Sequence, residues 1–196
     1  MRAAQASAAL DGGSPTLPRD GSVRDPVLAG ALRVAQALNG LFGTWQRAPL
    51  QVLARLHVLA AADLSPQPAL GRPDPSRDIT IRLDGLAQLV TERGRVVAPV
   101  LVSVVHGELL ALAPFAQGNG VVARAAARLT VVSSGLDPQG LLVPEVAHLR
   151  REREYRAAAA GFASGGAEAV GGWIVHCCTA LIEGAQEALT IATGAG

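Results

Sequence analysis

The chain has 196 residues, 49% hydrophobic and 17% charged, which suggests one domain, with or without a tail, and enough apolar material for a core. A net charge of +1 gives no bulk electrostatic case for binding nucleic acid or an anionic membrane. All 17 basic residues are Arg, which excludes Schiff-base chemistry and a P-loop, since both need Lys. Aromatics are only 3%, so the core must be built from Leu, Val, Ile and Ala, a composition that favours helices.

Residues 1–24 are rich in Ala, Gly, Ser and Pro, show no sustained period, and read as a mobile tail ahead of a helical domain over 25–196. Asp11, Gly12, Gly13, Pro15 and Pro18 interrupt this segment before the apolar run of a signal peptide forms. Asp25-Pro26 reads as an N-cap followed by proline at the first helical position, with Val27, Leu28, Ala31, Leu32, Ala35 and Leu38 as the inward stripe. Pro49 begins a second helix. The proline-rich stretch 65–77 is a loop, and Asp78 could cap a helix running through Leu89 and Val90. The alternation over 79–83 leaves a short strand, the remnant of a β-hairpin, as an alternative there. Residues 98–112 are nearly all apolar and fit a helix buried on most sides. Further helices are expected over about 120–132, from Pro144 through the charged block to Ala160, and over 167–192, with a break at 161–166.

The most apolar late run, 170–182, is too short to span a bilayer and contains His176, so a cytoplasmic location is the expectation. Cys177 and Cys178 are neighbours inside that run and read as two buried thiols in a reducing cytosol. No zinc spacing is present.

The stretch most suited to chemistry is 113–124, Ala-Pro-Phe-Ala-Gln-Gly-Asn-Gly-Val-Val-Ala-Arg. Pro114 breaks the preceding run, Gly118-Asn119-Gly120 suits a tight turn, and a new helix opens behind it. The unpaired N–H groups of such a helix start can bind an anion, and Arg124 one turn in adds a forked cationic donor. The competing reading is that the turn only redirects the chain while Arg124 pairs with an acid such as Glu145 or Glu108. Phe115 reads as a core anchor in both cases. His106 lies two helical turns before Ala113 and would be a substitute base only if its helix ran past the anion site; a core position is the alternative. His148 stands at helical spacing from Glu145 and Arg151, as on a solvated face. His57 and His176 have no partner at metal-ligand spacing.

These residues resemble the Fic family of the Fic/Doc fold. Its signature is His-x-Phe-x-Asp/Glu-Gly-Asn-Gly-Arg-x-x-Arg between two helices; Phe115, Gly118, Asn119, Gly120 and Arg124 match it. The apolar helix before the motif, the Tyr155-bearing helix and the final helix with Trp173 near its start are also similar, so the likeness covers about 27–191. The resemblance implies an all-α, compact helical bundle and, in active members, transfer of AMP or another phosphate-containing group from a nucleotide to a protein hydroxyl (adenylylation). The motif His is then the general base, the acidic residue holds Mg²⁺, and the turn and arginines hold phosphates.

This chain departs from the signature at three positions: Ala113 replaces the base, Gln117 the metal ligand and Val121 the first arginine. Loss of a general base alone typically costs ~10²–10⁴-fold. The glycine turn with Arg124 remains. The expected function is therefore that of a pseudoenzyme: a non-catalytic nucleotide- or phosphate-binding or regulatory module, with Gly118, Asn119, Gly120 and Arg124 as its contacts. ATP or another nucleotide is the ligand implied, without a carboxylate to hold Mg²⁺. The alternative is a Fic-type AMP transferase with a rearranged site drawing on His106 and Glu108. A protein partner or a homo-oligomer is compatible with the mean hydropathy of +0.30. No Ser/Thr-x-x-x-Glu-Gly/Asn segment, the family's inhibitory pattern, is evident.

Overall fold

The computed structural model describes residues 1–92, 94 and 96–194. Along them run ten α-helices: α1 (Arg2–Leu10), α2 (Pro26–Ala37), α3 (Phe42–Trp45), α4 (Pro49–Ala61), α5 (Thr80–Thr91), α6 (Ala98–Leu112), α7 (Asn119–Ser133), α8 (Pro144–Arg150), α9 (Glu152–Ser164) and α10 (Ala167–Ala192). No strand occurs among the described residues, so the fold is all-α. None of these helices is long and apolar enough to cross a membrane.

Local sequence accounts for most of the boundaries. The Asp25 carboxylate accepts the Leu28 N–H at 2.7 Å, capping α2 ahead of Pro26. Pro49 and Pro144 likewise stand at the first positions of α4 and α8. The stretch expected as a possible strand, 79–83, enters helix α5 instead. Leu83, Leu86 and Val90 are buried at helical spacing while Ile81 is 82% exposed, so the longer period decides over the short alternation. The charged block does not form one helix: the backbone breaks at Arg151, separating α8 from α9.

The antiparallel pair α6–α7 is the centre of the bundle. Residues 121–127 of α7 are all buried. One side of the pair is covered by α2 and α4, where the main core joins Leu28, Trp45, Leu56, Leu109, Val122 and Leu129. The other side is covered by α9 and α10, around Tyr155, Phe162 and Trp173. Two close approaches depend on missing side chains. A Cβ at Gly107 of α6 would stand 2.6 Å from Trp173 Nε1, and one at Gly30 of α2 would collide with the Ala60 carbonyl of α4.

The largest correction concerns the N-terminus. Residues 2–10 form a helix, not part of a mobile tail, and Ala4, Ala6, Ala8 and Leu10 are buried against α2, α7 and α8. The glycines that seemed to interrupt the segment end this helix instead. Gly12 has φ +82°, the Gly13 N–H reaches the Ala8 carbonyl at 2.9 Å, and the Gly12 N–H reaches Ala9 at 3.0 Å. That is the hydrogen-bond pair of a glycine-terminated helix.

Candidate functional site

Residues 113–119 form a braced loop between α6 and α7. The first helix ends at Ala113, which takes φ +41°, a left-handed conformation that a non-glycine residue holds only when its surroundings impose it. Next, the Asn119 side chain reaches back over the turn. Its Oδ1 accepts the Phe115 N–H at 2.9 Å and its Nδ2 donates to the Phe115 carbonyl at 2.7 Å. Gly118, φ +72°, then sets the N-cap of α7. Phe115 is buried and stacks on His57 of α4, ring centroids 4.0 Å apart and 6° from parallel.

His57 itself is fully buried. Its Nδ1 accepts the Gly71 N–H at 2.9 Å, which assigns the proton to Nε2, a nitrogen facing the Gln117 backbone without a well-formed hydrogen bond. Burial holds its pKa below the ordinary value, so the ring stays neutral at pH 7. From outside, the Asp74 N–H donates to the Pro114 carbonyl at 2.8 Å and Arg77 to the Leu112 carbonyl at 3.3 Å. The proline-rich loop therefore straps the turn in place.

The helix start does receive an anion, and the anion belongs to the protein. Asp11, just beyond α1, accepts the Val121 N–H through Oδ2 at 2.9 Å and takes Arg124 Nη2 on Oδ1 at 2.8 Å. Gly120 leaves room for this carboxylate; a Cβ there would collide with both oxygens. Arg124 is 3% exposed, and the rest of its guanidinium is also engaged: Nε donates to Ser7 Oγ at 2.8 Å, Nη2 to the Ser7 carbonyl at 2.8 Å and Nη1 to Tyr155 Oη at 3.3 Å. Arg156 adds a bond to the Leu10 carbonyl at 2.7 Å. Two cations thus meet the carbonyl end of α1, where the helix dipole favours them. Ser7-x-x-x-Asp11-Gly12 has the spacing of the inhibitory pattern expected to be missing, with Asp in place of Glu. The signal lay within residues read as a tail.

The other residues weighed fall elsewhere. Gln117 is exposed, and Val121 is buried as part of the main core. Glu145 pairs with Arg128 at 3.2 Å and Glu108 with Arg82 at 2.8 Å, so neither serves Arg124. His148 is buried, not on a solvated face, and its Nδ1 lies 3.1 Å from His176 Nε2. His106 is buried and its Nε2 lies 3.0 Å from Tyr155 Oη, within the core behind Arg124. Burial first, then the charge of Arg124 and His176, hold the His106 pKa down to about 3. Burial also lifts Tyr155 above its usual value. Both rings are neutral at pH 7.

A cleft of about 180 Å³ runs beside α1 between α2 and α7, lined by Ser7, Ala31, Val34, Val121 and Arg128; it includes none of Gly118, Asn119, Gly120 and Arg124. The position that the Fic signature gives to a metal-holding acid carries the neutral amide of Gln117, and the residues present do not fit Mg²⁺.

No family profile matches the sequence, and no curated protein matches it. Among solved structures, Fic-1 from C. elegans is similar at a TM-score of 0.66 with 16% identity, over 97% of this chain and 58% of that one. The chain thus has a Fic-like fold and spans somewhat over half the length of the structure it resembles.

Proposed function

We propose that the chain is a non-catalytic Fic-fold module whose phosphate-binding helix start is kept closed by its own Asp11. The supporting observation is the double use of that carboxylate, on the Val121 N–H and on Arg124. A terminal phosphate needs the same two partners: a backbone donor at a helix N-terminus and a guanidinium. Asp11 therefore occupies the site as a tethered competitor, and a phosphate ligand binds only by displacing it. The module is regulatory in this sense: α1 seated or α1 released is the state a ligand or protein partner would read.

The loop holds its shape without groups that move protons. Ala113 has no acceptor, and the nearest imidazoles are neutral and inside the bundle: His57 beneath Phe115 and His106 behind Tyr155. Glu108, the other candidate for a rearranged site, is tied to Arg82. These observations favour the binding module over the AMP transferase.

Calorimetric titration with ATP and ADP tests the reading. The native chain should bind weakly, Asp11→Ala should bind at least tenfold tighter, and Asp11→Ala/Arg124→Gln should lose the gain. Labelled ATP should leave no AMP on protein with any of the three. A folded Asp11→Ala chain without nucleotide affinity would reject the closed-site reading, and AMP transfer by it would reject the non-catalytic one.

A further inference from the structure

The outer face of α10 carries an apolar stripe that no element among the described residues covers. Val175, Ile182 and Leu189 are 66%, 61% and 66% exposed and stand seven residues apart. Cys178, Ala185 and Ala192 follow each of them by three residues and are half-buried or exposed. Two positions in every seven, repeated over three heptads, make a continuous seam along one helix face. Its neighbours Gly172, Thr179 and Gln186 are uncharged. Two of the three acids on this helix are drawn into the bundle, Glu183 by Arg151 at 2.7 Å and Glu187 by Arg2 and Arg150, each at 2.6 Å; the third, the exposed Glu168, lies one heptad before Val175, at the start of the helix and outside the apolar seam. Between Val175 and Ala192 the stripe itself carries no charged residue.

We infer that this face is the interface with a second copy of the chain, formed by two α10 helices lying antiparallel about a two-fold axis. The order of side-chain sizes carries the inference. Along the seam they run Val175, Cys178, Ile182, Ala185, Leu189, Ala192, large and small in turn. Placed antiparallel, Val175 faces Ala192 of the second copy, Cys178 faces Leu189 and Ile182 faces Ala185, and the two-fold repeats these contacts. Every layer then joins one large residue to one small one, and the seam has constant width. A parallel pair would set Ile182 on Ile182 and Ala185 on Ala185, alternating crowding with gaps that a close-packed interface does not keep. The same patch on both copies is what a two-fold dimer requires. With flanking residues the contact engages about a dozen residues per copy and on the order of 1,000 Å² in total, the threshold of a specific but weak interface, so monomer and dimer should exchange at micromolar or higher concentration.

Sedimentation across roughly a hundredfold range of micromolar concentrations tests this. The native chain should pass from monomer to dimer, and Ile182→Glu should stay monomeric with an unchanged circular dichroism spectrum. Orientation is read by mild oxidation. Leu189→Cys should cross-link to Cys178 of the second copy, while the native chain and Leu189→Cys/Cys178→Ser should not. Cys177 is buried, so Cys178 is the thiol available for this reaction. A chain monomeric throughout, a dimer that survives Ile182→Glu, or native chains cross-linked through Cys178 alone would each overturn the inference. If Ile182→Glu fails to fold, the Leu189→Cys cross-link decides.

Discussion

Arg2 and Asp11 flank α1 at opposite ends, and each ties it to a different helix of the bundle. Arg2 pairs with Glu187 of α10 at 2.6 Å; Asp11 pairs with Arg124 of α7 at 2.8 Å. The two anchors differ in kind. The Arg2 side chain is 47% exposed, whereas Arg124 is 3% exposed and Asp11 22%.

Removing the buried anchor should cost most. Asp11→Ala leaves the Arg124 guanidinium inside the protein with only Ser7 and Tyr155 as partners. The expected loss is about 3 kcal/mol, the lower end for breaking a buried ion pair because Asp11 retains some solvent contact. Urea unfolding measures it. A loss below half that value would mean the guanidinium finds water or another acceptor.

The exposed anchor should act locally. Glu187→Gln weakens both contacts of Glu187; its side chain is nearly buried, but those of Arg2 and Arg150 are 47% and 60% exposed and the amide oxygen still accepts from them, so global stability should fall by about 1 kcal/mol. Hydrogen exchange should nevertheless quicken in α1 while α6 and α7 keep their protection, because α1 opens before the bundle does. Equal effects in α1 and α7 would show that α1 does not open separately.

Glycine substitutions should have opposite signs at different sites. Gly30→Ala drives a methyl into the Ala60 carbonyl and Gly107→Ala drives one against Trp173, so each should destabilise by about 1–3 kcal/mol. Gly85 of α5 has open space around it, and Gly85→Ala should stabilise by about 0.5–1 kcal/mol through helix propensity alone. Thermal unfolding of the three variants checks the contrast.

Acid should weaken the fold through its histidines. In the native state burial holds His106 down to about 3 and His148 well below the ordinary 6.5. The unfolded chain therefore binds more protons as pH falls. For His106 this contribution is fully present above about pH 6.5 and is lost as pH falls toward 3, by up to about 1.4 kcal/mol per pH unit, and His148 adds a loss of the same sign. Unfolding free energies between pH 7.5 and 5 should show this slope, and His106→Gln should reduce it while His148 keeps the remainder.

The helices were legible wherever local chemistry marks them. Asp25-Pro26, Pro49, Pro144 and the turn at Gly118 each announce an element start, and α6 and α10 follow their apolar runs. What escaped reading depended on contacts distant in the chain. Arg124 had acids nearer in sequence, but its partner, Asp11, is 113 residues away. The run containing Ala4 and Ala8 has no strong apolar stripe; α1 is set by how closely small side chains fit against α2, α7 and α8. His148 looked solvated from its charged neighbours, yet Arg128 takes Glu145 and α10 covers the ring.

The turn before α7 separates two jobs within a dozen residues. Its contour is written by Asn119 gripping Phe115, by the His57 ring beneath and by the loop from 66 to 78 above, none of which is a proton carrier or metal holder in the motif. The positions that the Fic signature gives to a reaction, 113, 117 and 121, enter that contour through the left-handed backbone of Ala113 and the buried Val121, and none of their side chains moves a proton or carries a charge. The form of such a turn is therefore set separately from the side chains that would do chemistry in it, and substitutions at 113 or 117 change the second without dismantling the first.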